Sequence, residues 1–345
     1  MTMPAVAVAV GGERNRAAPT PLAVLTGFLG AGKTTLVNRI LAGSHGLRIA
    51  VLVNDFGAIN LDAELVAGAQ GGVLSLANGC VCCTIRDDLV ATVMQAIARP
   101  ERPEYVVLEA SGVADPVGIA MTCNASELRE HVRLDAIHCV VDAEQLFGAP
   151  ETMELKLAQM ACADMILLNK VDLVRREQIA RIRSWLDGRF HRYRLVETVR
   201  GDVPMPILLS PRMAGADDDR GAREAPSDRR RGHRHDAAAQ FATWQYETDQ
   251  PLSLTALRQA ASRLPPAIYR AKGVVSAADT RQRCVLHVVG RRVDVALDGG
   301  WRDETPRTRI VAIGAPGAID GTTLRDLFDR CLASRPDRLS GLGPM

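Results

Sequence analysis

The sequence predicts an α/β chain, with a first domain built on a mostly parallel sheet and a smaller α+β domain after it. Three observations predict this. From Pro21 short apolar runs alternate with helical patterns, which is the rhythm of βαβ units. Between residues 213 and 239 the rhythm stops in a stretch almost without large apolar side chains. Beyond it, short runs of strand length lie between two helical patterns. With 345 residues, 47% hydrophobic and 24% charged, the chain has material for about two domains with sizeable cores.

The elements follow in order. Residues 1–20 are small and polar after a brief apolar start and read as a loose tail. Strand-like runs stand at 22–26, 49–53, 105–108, 136–141 and 165–168, with helical patterns at 33–41, 86–98, 125–132 and 151–161. A run at 207–209 reads as one more strand closing a domain that spans 21–212. Residues 213–239 hold Asp217-Asp218-Asp219, Arg229-Arg230-Arg231 and His233-Arg234-His235, the composition of an exposed, disordered linker. The second domain, 240–338, opens with a helical pattern at 253–264 closed by Pro265-Pro266. Strands at 273–276, 283–289, 292–297 and 308–313 then form an antiparallel sheet, and a last helix covers 323–333. There is no internal repeat.

Charge narrows the function classes. Lys+Arg number 42 and Asp+Glu 40, a net +2, which argues against broad electrostatic binding of nucleic acid or of a membrane surface. Aromatics are only 4%, too few for base-stacking platforms to dominate. No run reaches the ~18 apolar residues of a membrane span. The apolar stretch 5–10 lacks the preceding cationic segment of a secretory signal, so the expected location is cytoplasmic. Only four of the 42 basic residues are lysine: Lys33, Lys156, Lys170 and Lys272. In so arginine-rich a chain, a retained lysine marks a place where a compact ammonium on a flexible stem is wanted. Lys156, with no motif around it, reads as a chance survivor.

The first motif is Gly27-Phe28-Leu29-Gly30-Ala31-Gly32-Lys33-Thr34, followed by Thr35. It fits GxxxxGK[ST] between a strand and a helix, the context of a P-loop. Gly27, Gly30, Ala31 and Gly32 supply backbone N–H groups around phosphate oxygens, and the positive end of the helix faces the same anion. Lys33 adds a mobile charge at the β/γ-phosphates, and the Thr34 hydroxyl takes a Mg²⁺ position. A second motif, Asn169-Lys170-Val171-Asp172, directly follows an apolar strand. There Asp172 suits the N–H and exocyclic amine of guanine, an arrangement adenine does not offer, and the Lys170 stem can cover the base. Glu109-Ala110-Ser111-Gly112 ends another strand. Glu109 suits Mg²⁺ or its waters, and Gly112 allows close approach to a γ-phosphate, although a helix cap by Ser111 would fit the same string. The loop Asn54-Asp55-Phe56-Gly57, running on to Asp62, stands where a nucleotide-sensing switch belongs. Asp55 there would position a Mg²⁺ water or the attacking water, or form a plain Asx turn.

Of eight cysteines, Cys123, Cys139, Cys162, Cys284 and Cys331 are scattered and read as small buried hydrophobes. Cys80, Cys82 and Cys83 cluster in Gly79-Cys80-Val81-Cys82-Cys83. In a reducing compartment such a cluster suggests metal before disulfide. The spacing is not that of a closed structural finger, so two or three thiolates would hold Zn²⁺ or Co²⁺ in an open site, with Fe²⁺ also tolerated.

Together these residues resemble the CobW-like GTPases. The resemblance spans about 21–333 and rests on GFLGAGKTT at 27–35, NDFGAINLD at 54–62, NGCVCC at 78–83, EASGVADP at 109–116 and NKVD at 169–172. The second domain is similar to the CobW C-terminal domain through Arg270-Ala271-Lys272-Gly273, Trp301 and the run 310–314. The resemblance implies a GTP-dependent metallochaperone of weak intrinsic GTPase activity, serving a client metalloenzyme or metal-insertion complex. It implies Lys33 on phosphate, Thr34 and Glu109 at Mg²⁺, Asn169 and Asp172 on guanine, and Cys80, Cys82 and Cys83 on the delivered metal. Two features depart from the family. Where some members flank the NDFG loop with glutamates this chain has Val53 and Ala58, and a long histidine-rich segment is reduced to His233 and His235. A competing reading is a nucleotide-dependent scaffold that activates a client metalloenzyme, with structural cysteines.

Overall fold

The computed structural model describes residues 18–43, 45–53, 73–75, 84–209, 241–301, 304–317 and 319–333. Strands β1 (Thr20–Thr26), β2 (Ile49–Val53), β3 (Val73–Ser75), β4 (Tyr105–Glu109), β5 (Val132–Asp142), β6 (Met165–Asn169) and β7 (Leu195–Glu197) form a parallel sheet in the order 3-2-4-1-5-6-7. Its helices are α1 (Lys33–Ala42), α2 (Thr84–Ile97), α3 (Pro116–Cys123), α4 (Ser126–Arg129), α5 (Met153–Cys162), α6 (Arg176–Asp187) and α7 (Met205–Leu208). The strands read as continuous apolar runs because both faces are covered. Along β1, Leu22 and Val24 enter one core with Val106 and Leu108, while Ala23 and Leu25 enter the other with Leu36, Val37 and Val107.

Register sets the site. Leu25 pairs with Glu109, Val53 with Glu109, Ser75 with Val53, and Asp142 with Asn169. The motif residues that follow these strands therefore leave the sheet along one carboxyl edge, where ligands of open parallel sheets bind.

The second domain is a five-stranded antiparallel sheet of β8 (Ala242–Thr248), β9 (Ile268–Val275), β10 (Cys284–Val289), β11 (Arg292–Leu297) and β12 (Thr308–Gly314), in the order 11-10-9-12-8. Helices α8 (Leu254–Ser262) and α9 (Gly321–Asp329) share its core with Ala271, Leu286, Ile310 and Phe328. Ser253 and Asp320 cap these helices through their side chains.

The two domains meet over a seam that is part apolar, where Tyr269 joins the core of the first domain, and part polar. The buried Arg270 guanidinium lies 2.5 Å from the buried Asp135 carboxylate, which also faces Arg133 at 3.2 Å and accepts from the Tyr105 hydroxyl at 2.6 Å. Burial works to raise the Asp135 carboxyl, but the Arg270 and Arg133 charges and the Tyr105 hydrogen bond hold it below the usual range. The Arg-Ala-Lys-Gly run thus has a structural use in the arginine. Its Gly273 lets β9 and β12 close up, since a Cβ there would stand 2.4 Å from the Arg309 carbonyl oxygen.

Several elements differ from the sequence expectation. Of the helix expected at 125–132 only the turn Ser126–Arg129 forms, and β5 already begins at Val132. The main helix lies upstream at Pro116–Cys123, with Pro116 in its first turn and the Asp115 carboxylate accepting from Val117 N at 2.9 Å. The strand expected at 207–209 is instead the helical turn Met205–Leu208 behind Pro204. Helix α6 and strands β3, β7 and β8 were not expected, and β9 starts at Ile268 rather than 273. Four of the scattered cysteines are buried, and Cys162 is half-buried. Most of the tail and the linker 213–239 lie outside the described residues. Among the described residues no helix is long and apolar enough to cross a membrane.

Candidate nucleotide and metal site

β1 delivers the chain into the glycine-rich loop and α1 leaves it at Lys33. Gly27 and Gly32 have φ of 137° and 104°, and a Cβ would lie 2.1 Å from the Val140 carbonyl oxygen at the first and 2.4 Å from Asn169 Nδ2 at the second. Only glycine meets both demands, left-handed backbone and close approach. Lys33 Nζ donates to Gly27 O at 2.9 Å and to Phe28 O at 3.3 Å, so its ammonium sits over the loop at the start of α1. The first turn of α1 carries no acidic residue, which leaves its positive end to an anion.

The Thr34 hydroxyl donates to Glu109 Oε1 at 2.8 Å. This brings together the two oxygens expected at Mg²⁺, one from the P-loop helix and one from the end of β4. Both are hard oxygen donors of the kind Mg²⁺ takes, so the residues fit that ion. Thr35 is exposed on α1. Gly112 is buried against the P-loop, and a Cβ there would stand 2.7 Å from Leu29 N and 2.6 Å from Leu29 Cδ2. The loop after Glu109 and the phosphate loop are therefore in van der Waals contact.

On the other flank Asn169, 2% exposed, ties two loops. Its Nδ2 donates to Ala31 O at 2.9 Å, and its Oδ1 accepts from Gly201 N at 3.0 Å. Lys170 takes a left-handed φ of 62°, and its Nζ lies 2.7 Å from Asp142 Oδ2. A non-glycine residue in that region is strained, and such strain collects at functional positions. Asp172 is exposed in the 3₁₀ turn Val171–Leu173. Asp55, Cys80, Cys82 and Cys83 lie outside the described residues. Among the described residues no group of three His, Cys, Asp or Glu is placed to hold a metal ion.

Sequence reasoning missed four contributors. Asp142 anchors Lys170, and its position at the end of an apolar strand was the available signal. The loop 198–201 presents Gly201 to Asn169 but carries no recognisable motif. Gln159, 1% exposed, donates its Nε2 to Gly112 O at 3.0 Å. Lys156 is no chance survivor. Its Nζ donates to the carbonyls of Gln145, Leu146 and Gly148 at 3.1, 3.2 and 2.8 Å and lies 5.0 Å over the Phe28 ring of the P-loop. Burial pushes this ammonium below its ordinary value, and three carbonyls on a short loop suit a compact rotatable donor better than a planar guanidinium.

Two family models match the chain. Residues 21–193 match the family described as CobW/HypB/UreG, nucleotide-binding domain, and residues 241–332 match the cobalamin synthesis protein cobW C-terminal domain. The zinc chaperone CobW of Pseudomonas aeruginosa is 33% identical over 340 residues, covering 86% of this chain and 88% of its own. The zinc chaperone YjiA of Escherichia coli is 27% identical over 311 residues, covering 86% and 94%. The crystal structure of Zn(II)-bound YjiA GTPase from E. coli aligns with 92% of this chain and 100% of its own at 22% identity, with a TM-score of 0.42.

Proposed function

The chain belongs to the CobW family, and from that premise we propose that it is a GTPase that carries zinc, gripping the ion in one nucleotide state and handing it to a client metalloenzyme in another. One observation carries the reading. The P-loop, the Thr34–Glu109 pair, the Gly112 loop and the Asn169–Asp172 turn share one sheet edge, and β2 and β3 end at that same edge with Val53 and Ser75.

In this reading Lys33 and the backbone N–H groups of 27–34 bind the phosphates. Thr34 and Glu109 would hold Mg²⁺, which when bound would supply positive charge against the phosphate oxygens. Asp172 pairs with guanine, the Lys170 stem covers the base, and Asn169 holds the base-side loop against the P-loop. Asp55 positions the attacking water. Residues 109–116 hold neither glutamine nor arginine, so nothing there orients water or spreads transition-state charge as the assisted GTPases do. Cys80, Cys82 and Cys83 hold the zinc cargo as thiolates in an open site; Co²⁺ and Fe²⁺ are other ions such a site would admit. No role for nucleic acid or a membrane enters the account, and the working compartment is the cytoplasm.

The test is zinc stoichiometry by metal analysis of protein purified with a Mg²⁺–GTP analogue. The reading expects about one zinc per chain, lost in the Cys82→Ser/Cys83→Ser variant and not supported by an ATP analogue. Zinc that persists in the cysteine variant would favour the scaffold reading.

A further inference from the structure

Helix α5 carries two side chains that reach the nucleotide loops, and its far end meets the second domain. Gln159 is buried in the first domain and donates one amide nitrogen to two carbonyls of the loop after Glu109, Gly112 O at 3.0 Å and Ala114 O at 3.4 Å. That loop is the one packed on Leu29 of the P-loop without room for a Cβ at Gly112. Lys156, three residues earlier and so on the same helical face, sits over Phe28 and clamps the carbonyls of 145–148. Those carbonyls follow Asp142, the partner of Lys170. One face of a single helix thus touches the phosphate loop, the loop after Glu109 and the loop that follows Asp142.

The carboxyl end of α5 is held by the β10–β11 turn. Arg291 Nη2 donates to Ala161 O at 2.9 Å, and Arg292 Nε donates to Asp164 Oδ2 at 3.2 Å. Gly290 has φ of 56°, and a Cβ there would meet the Asp164 carbonyl oxygen at 2.1 Å. Asp164 in turn accepts from Ile137 N on β5 at 2.9 Å. These contacts are close-packed and directional, and an α-helix of ten residues is a stiff rod of about 15 Å. Through one stiff element, a shift of the Gly112 loop would reach the turn.

We infer that Gln159 is a positioning residue for the terminal-phosphate loop and that helix α5 carries the position of that loop to the β10–β11 turn, so that the second domain biases the choice between GTP and GDP. The inference rests on the GTPase reading. By linkage, loosening the turn changes nucleotide discrimination as much as nucleotide changes the docking of the turn.

The test uses the full chain and equilibrium titration with a non-hydrolysable GTP analogue and with GDP. Gln159→Leu is expected to weaken the analogue by about 10-fold and GDP by less than about 2-fold, because GDP lacks the phosphate the loop faces. Arg291→Ala/Arg292→Ala, at the far end of the helix, is expected to shift the ratio the same way by about 3- to 10-fold. The combined variant should be no worse than Gln159→Leu alone, since both act on one element. Equal loss of both nucleotides in Gln159→Leu would mean a merely structural role. An unchanged ratio in the arginine variant, or full additivity, would overturn the link. Should Gln159→Leu fail to fold, the partly exposed arginine positions decide alone. Failure of the unmutated chain to prefer GTP over ATP would sink the GTPase reading instead, which separates the two claims.

Discussion

Asn169→Ala is the sharpest perturbation of the base-side architecture. The side chain is 2% exposed and makes two hydrogen bonds, to Ala31 O at 2.9 Å and from Gly201 N at 3.0 Å. Removal leaves a buried carbonyl and a buried N–H unpaired. Each such group costs ~1–3 kcal/mol. The pair then amounts to about 2–6 kcal/mol, so nucleotide affinity should fall by at least about 30-fold at 1.4 kcal/mol per decade. The bridge joins the P-loop to the 198–201 loop rather than to the Gly112 loop, so GTP and GDP should lose affinity together. The assay is titration with fluorescent analogues of both nucleotides, with a thermal melt of the same protein. Affinities within 2-fold of the unmutated chain together with an unchanged melt would refute the reasoning, as would a loss confined to GTP.

Three further outcomes follow from the same site and from the seam. Asp172→Ala should weaken GTP by about 5- to 150-fold and lower GTP/ATP discrimination, read by ATP competition; equal affinity of the unmutated chain for GTP and ATP would contradict the guanine assignment. Unassisted hydrolysis should run at about 10⁻⁴ to 10⁻² s⁻¹ and vanish in Lys33→Ala; turnover of tens per second in single-turnover assays would reveal an unidentified catalytic group. Acid should destabilise the fold through His138, which burial pushes down to about 4 although the Leu208 carbonyl at 3.1 Å supports the protonated ring. The folded chain then binds fewer protons than the unfolded chain between pH 6.5 and about 4, so stability present above 6.5 is lost as pH falls, by ~1.4 kcal/mol per unit. Arg270 opposes and Asp135 favours that protonation, and His287, also held low mainly by burial, adds in the same direction. Urea midpoints at pH 7, 6 and 5 should show the fall, with a flatter profile in His138→Gln; parallel profiles would contradict it.

What was legible in the sequence was what a local pattern determines. Strands β1, β2, β4, β5 and β6 of the first sheet could be read because both of their faces are buried, which makes them unbroken apolar runs, whereas the three-residue β3 and β7 are too short to show one. The P-loop could be read because loop and helix need glycine, lysine and threonine at fixed offsets. Residues 116–123 were missed because PVGIAMTC is apolar all round and contains Gly118, leaving no amphipathic period to detect. The run 207–209 looked like a strand, but Pro204 starts a helical turn whose Ile207 and Leu208 fill the core. Residues 176–187 were obscured by three arginines, although Ile182 and Leu186 form a buried stripe. Lys156 and Gln159 were illegible for a different reason. Their partners are backbone carbonyls of loops eight or more residues away, a relation that topology creates and local sequence does not record.

The account's central claim is that nucleotide state and zinc custody are one equilibrium. The direct measurement is a competition titration of zinc against a chromophoric chelator in three samples: with Mg²⁺ and a GTP analogue, with Mg²⁺ and GDP, and without nucleotide. A coupling of ~1–3 kcal/mol predicts zinc bound about 5- to 150-fold more tightly in the first sample than in the second, with zinc tightening the GTP analogue by the same factor. Identical zinc affinity in all three samples would contradict it.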